Sequence, residues 1–181
     1  MGNVTLFRIF EKYEDYIVKC KECEMRTYQL MDNLEILFYA YGLMSVAIPG
    51  DVSDEDMARM KFFLSEGRYF IEDIEKMVEI LHRQEGDFEA TLCEIERQIV
   101  QFMKAASLPE RIVEQTEAMV NHVDEFCPHA GSSNGVRNAA QLVQESIRVY
   151  RNAFEELIDG GKKMIEELRL RYDEFVKFLE F

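Results

Sequence analysis

Cys20 and Cys23 lie three residues apart, so on a helix both thiols fall on one side. Paired thiolates at that spacing can clamp one zinc ion when a second element adds sulfur or imidazole ligands. The candidates for those ligands are His82, Cys127 and His129. A tight helical hairpin turning at 47–53 would set residue i opposite about 101 − i, and so place Cys20 beside Leu81 and His82. A second turn at 107–108 would set residue j opposite about 215 − j, bringing Cys127 and His129 near Phe88 and Gly86. The metal set read from the sequence is therefore Cys20, Cys23, His82 and Cys127, in a structural zinc site that staples helices together. The alternative is that Cys20 packs in a core, Cys23 flanks it and the rest are scattered.

Other chemistry is sparser. Glu79-Ile80-Leu81-His82 has the Glu-x-x-His spacing of ferritin-like di-metal sites, but those sites need a second such pair and the chain has none. Gly160-Gly161 precedes a lysine without the GxxxxGK[ST] spacing of a phosphate-binding loop, and His-Glu-x-x-His does not occur. Carboxylates one turn apart, such as Glu11/Glu14 and Glu72/Glu75, are common in any acidic helical chain. The sequence nominates no catalytic residue, and zinc is the one cofactor it suggests.

The elements that must position these residues are helices. The chain has 181 residues, 3 Pro and 9 Gly, too few breakers for a fold built on many short strands. From Leu6, apolar residues recur in steps of three and four through Phe10, Tyr13, Ile17, Cys20, Met31, Leu34, Phe38 and Tyr41, with Glu24 and Thr27 as interruptions. This predicts a helix over about 5–46, stopped by Ile48-Pro49-Gly50. Ser53 and Asp56 approximate a capping box for the next helix, and the surrounding acids suit its positive end.

The second stripe runs from Met57 through Leu64, Gly67, Ile74, Leu81, Glu85, Leu92 and Phe102 to Ala106 without a register break. It predicts one helix over about 53–107, with Gly67 and Gly86 the places for a bend or break. Ser107-Leu108-Pro109 then restarts the chain, and Ile112, Thr116, Met119 and Val123 mark a helix over 109–127 that stops before Pro128. His129 to Gly135 reads as the one flexible loop. A last stripe from Val136 to Phe178 predicts a helix over 134–180, in which Gly160-Gly161 implies either a neighbouring backbone packed close or a hinge. Broad apolar faces and short connections give an all-α fold: an elongated up-down antiparallel bundle of four helices, two of them very long, forming a single domain over 1–181. Phe7, Phe10, Phe175, Phe178 and Phe181 gather near the two ends of the chain, as a plug or a dimerisation patch.

Composition narrows the function. Apolar residues make up 48% of the chain and charged residues 31%, enough for a true core. No run of about 18 apolar residues is present, so no membrane insertion is expected. The N-terminal stretch lacks the pattern of a secretory signal, and Leu6 stands where a myristoylation motif wants Ser or Thr, so a cytoplasmic location is expected. Four cysteines fit reduced thiols. The net charge is −14, and residues 51–133 hold 8 basic against 19 acidic side chains, which disfavours direct nucleic-acid binding.

The first reading is a non-enzymatic protein-interaction or scaffold module with a protein partner, a basic one included, or with a second copy of itself. Asp51, Asp54, Glu55, Asp56, Glu72 and Asp73 are its candidate partner-binding residues. The second reading is an acidic inhibitor that mimics nucleic acid and blocks a basic partner. The third is a helical protein with the structural zinc site.

Overall fold

A computed structural model describes residues 2–44, 53–83, 86–126 and 130–179, with side chains placed over 13–44, 53–83, 86–126 and 133–173. All regular structure among the described residues is helical: α1 (Gly2–Met44), α2 (Asp54–His82), α3 (Phe88–Met103), a 3-10 turn (Lys104–Ser107), α4 (Leu108–Phe126) and α5 (Ala130–Leu179). The two long helices are α1, with 43 residues, and α5, with 50.

The apolar stripes become the core. Tyr13, Cys20, Leu34, Phe38 and Tyr41 of α1 are buried, as are Met60, Leu64, Ile71, Ile74, Val78 and Leu81 of α2. Leu92, Ile95, Ile99 and Phe102 follow on α3, and Ile112, Thr116, Met119 and Val123 on α4. On α5 the buried face runs from Val136 through Val143, Tyr150 and Leu157 to Leu168. Thr27, an interruption of the stripe in sequence, is buried with its neighbours.

The predicted helix over 53–107 is corrected: it is two helices. α2 is continuous through the buried Gly67 and ends at His82. Gly86 then takes φ +77°, a left-handed conformation that a Cβ disfavours. Asp87 caps α3 at once, its carboxylate accepting from the Ala90 amide at 3.0 Å while its carbonyl accepts from the Thr91 amide. The apolar period does not register this reversal, because both arms of the hairpin turn the same kind of face to one core. At Ser107-Leu108-Pro109, predicted as the reversal, the 3-10 turn ends at Ser107 and α4 begins at once with Leu108. Lys104 keeps right-handed helical dihedrals, and Pro109 sits in the first turn of α4, where a missing N–H costs little.

The predicted loop over 129–135 is likewise shorter, since α5 starts at Ala130. Ser133 is fully buried one turn before Val136, so the inward face continues through loop-like composition.

The chain gathers into two compact units. The first comprises Met1–Cys23, Tyr69–Lys104 and Ala153–Phe181. Within it Tyr13 near the start of α1 stacks on His82 at the end of α2, and Tyr16 packs on Gly161 of α5. α3 runs antiparallel to α5: Phe88 stacks on Tyr172 at 4.8 Å, Arg169 bridges Glu96 at 2.8 Å, and Phe102 packs on Phe154 at 4.6 Å. The order is up-down-up-down.

The second unit comprises Glu24–Arg68 and Ala105–Asn152. Here α1 and α2 pair antiparallel through Tyr28 with Arg68 and Glu35 with Lys61. Asn33 of α1 donates to Ser146 of α5, and Arg137 of α5 bridges Asp124 of α4.

Candidate functional site

Cys20 and Cys23 are both fully buried on α1 in the first unit, and Cys20, Cys23 and Cys93 carry thiols rather than disulfides. Burial, reinforced by the Glu22 charge, pushes the Cys23 thiol up to about 12. The Tyr16 hydroxyl is held well above its ordinary range by burial first and the neighbouring Cys20 next.

His82 does not join these thiols. Its ring stacks on Tyr13, with centroids 5.6 Å apart, and Tyr13 stands seven residues before Cys20, about 10 Å along the helix. The hairpin register is the reason. The described pairs Tyr13/His82, Tyr28/Arg68 and Glu35/Lys61 have residue numbers summing to 95 or 96, not the expected 101. That offset slides α2 by about 8 Å along α1. Cys127 and His129 lie outside the described residues, and among the described residues no three His, Cys, Asp or Glu side chains are grouped to hold a metal ion.

The candidate acidic residues are divided. Asp51 lies outside the described residues. Asp54, Glu55 and Asp56 form the first turn of α2, where negative charge suits the helix dipole. Ser53 caps that turn: its hydroxyl accepts from the Asp56 amide at 3.2 Å and donates to the Asp56 carboxylate at 3.0 Å. Glu55 bridges Arg59 in the open. Glu72 and Asp73 belong to the first unit, Asp73 exposed and Glu72 half-buried. These acids are not brought together as one patch within either unit.

A different surface emerges in the second unit. Beyond Glu24, α1 carries two apolar faces. One packs inward through Leu30, Leu34, Leu37 and Tyr41. The other points to solvent. Met25 is 44% exposed, Tyr28 41%, Ile36 53%, Tyr39 72% and Leu43 67%. With Asp32 between Tyr28 and Ile36, these residues follow steps of three and four, so they form one continuous stripe.

The rims of the stripe are ordered by side-chain contacts. On the α2 side, Arg68 donates to the Tyr28 hydroxyl at 2.6 Å and lies 5.1 Å from its ring centroid. Lys61 pairs with Glu35 at 3.2 Å and covers the Phe38 ring. Phe62 and Phe63 of α2 are exposed beside each other, 6.0 Å between centroids. On the α5 side, Gln29 and Asn33 line an open groove of about 230 Å³ with Leu142, Ser146 and Val149. This surface offers apolar area and flanking polar groups.

Following one apolar stripe per helix hides this face. The signal was present: across 25–43 only Arg26, Asp32 and Glu35 are charged, and a second set of apolar residues keeps the helical period on the opposite side. Among the described residues no helix is long and apolar enough to cross a membrane. Comparison of the chain with protein-family models, with curated proteins and with solved structures finds no match.

Proposed function

We propose that this protein is a non-enzymatic interaction module whose working surface is the outer face of α1 from Met25 to Leu43. The observation that carries the reading is the exposed stripe itself. Single exposed apolar side chains are ordinary, whereas a contiguous row on one face marks a surface that another molecule covers. Tyr28 and Tyr39 add amphipathic rings of the kind enriched at protein interfaces.

The test is site-specific photocrosslinking in the cell that makes the protein. A benzophenone side chain replaces Tyr39 in one variant and Asp73, on exposed α2 surface in the first unit, in another. Crosslinked polypeptide at 39 and none at 73 is the expected outcome. Absence of adducts at 39 overturns the reading.

A second reading has its own support in the 19 acidic against 8 basic side chains of residues 51–133. On that reading the chain is an acidic inhibitor that mimics nucleic acid and occupies a basic partner's binding groove. Salt distinguishes the two, since binding through charge weakens steeply as ionic strength rises.

A further inference from the structure

We infer that the occupant of the α1 face is a second copy of this chain, its α1 packed antiparallel across a two-fold axis near residue 34. The inference rests on the interaction reading above and names its partner. Three observations carry it.

The first is area. At about 200 Å² for a large side chain, the exposures of Met25, Tyr28, Ile36, Tyr39 and Leu43 leave roughly 550 Å² of apolar surface open on each copy. Two copies together would cover about 1,100 Å², and Gln29, Asp32 and Ala40 add to that, which reaches the roughly 1,000 Å² needed by a specific interface.

The second is charge. Each copy carries a net −14, so two copies repel over most approaches. Across 25–43 only Arg26, Asp32 and Glu35 are charged, and Lys61 pairs with Glu35. At a net −1, this stretch adds little to that repulsion.

The third is self-complementarity. An isologous contact sets each residue against another of the same patch. With the axis near residue 34, Met25 meets Leu43 of the second copy, Tyr28 meets Tyr39, and Gln29 meets the small Ala40. Apolar meets apolar, and a long side chain meets a short one. Asp32 meets Ile36 and is the one charge on the seam itself.

Sedimentation velocity on the full chain, from low to high micromolar concentration, tests this. A dimer is expected. Tyr39→Glu with Leu43→Glu should weaken it by about a hundredfold or more, because two charges would be buried without partners. Both positions are exposed, so far-UV circular dichroism and the melting temperature of the monomer should stay as they are. Asp32→Leu should tighten the dimer by about tenfold, since it removes the buried charge from the seam. A dimer indifferent to Tyr39→Glu/Leu43→Glu overturns the inference. A chain that stays monomeric also overturns it, and the photocrosslinker at 39 then separates the two failures. Adducts with a different polypeptide leave the interaction face standing without the second copy, and no adducts remove both.

Discussion

Two adjacent glycines show how the same residue type takes opposite roles. A Cβ on Gly161 would stand 2.5 Å from both the Ile99 side chain and the Tyr16 hydroxyl, closer than real contacts allow. Gly161 therefore lets α1 and α3 side chains pack onto α5; the atoms that crowd it are side chains and not the neighbouring backbone expected at the glycine pair. At Gly160 the nearest atoms belong to the flexible end of Lys19, at 3.1 Å. Gly161→Ala should lose about 1–3 kcal/mol by overpacking, partly offset by helix propensity. Gly160→Ala should gain up to about 1 kcal/mol, because Lys19 can swing aside. Urea denaturation of the two variants reads the difference in sign directly.

Buried ionisable groups give the fold an alkaline limit. Cys23 is raised from 9.0 to about 12 by burial and then Glu22, and Tyr13 from 10.0 to about 12 by burial. Both groups are neutral when protonated, and both ionise more readily in the unfolded chain than in the folded one. Their contribution is complete below the unfolded values and is lost as pH rises through the folded ones. The melting temperature should therefore fall from pH 9 upward, through about 12. A Cys23→Ala variant should start lower, having lost core packing, and fall less steeply in the first part of that window. Equal slopes for the two proteins would remove Cys23 from the explanation.

At the scale of elements, the α2–α3 reversal rests on two residues. Nothing lies within 4 Å of a Cβ built on Gly86, so Gly86→Ala meets only the backbone cost of positive φ, about 1–2 kcal/mol. Asp87→Ala removes the side-chain acceptor at the Ala90 amide and should cost about 1 kcal/mol. Thermal melts of the two single variants check both figures. These residues also mark where sequence reading reaches and where it stops. The inward stripes and the Ser53 cap were legible, because each depends on spacing or on one local hydrogen bond. The direction of the chain after Leu81 was not. Apolar residues keep stepping by three and four across Gly86 whether the helix continues or folds back, and a left-handed glycine leaves no trace in that pattern. The level at which His82 sits was not legible for a related reason. A shift of five or six residues in the hairpin register is invisible in either helix alone, yet it moves His82 about a full turn and a half away from Cys20.

At the scale of the whole molecule, an all-helical bundle follows from the broad inward faces, while the exposed α1 face proposed as the working surface had to be seen in three dimensions. Exposure alone separates the second face of α1 from a core stripe, since Ile36 and Leu37 are chemically similar and only one of them is covered. The net charge of −14 then sets how that surface should respond to its medium. If two copies meet through Met25 to Leu43, their association works against mutual repulsion, and added salt screens that repulsion with a Debye length falling from about 10 Å at 0.1 M to about 3 Å at 1 M. Dimerisation should therefore strengthen, by a few-fold, as salt is raised over that range, because the seam is apolar and the opposing force is electrostatic. Binding of a basic protein through the acids of residues 51–133 has the opposite dependence, since there the attraction is what salt removes. Sedimentation across a salt series distinguishes these by sign. Self-association that weakens with salt would mean that ion pairs hold the copies together, and the apolar face of α1 would then not be the contact.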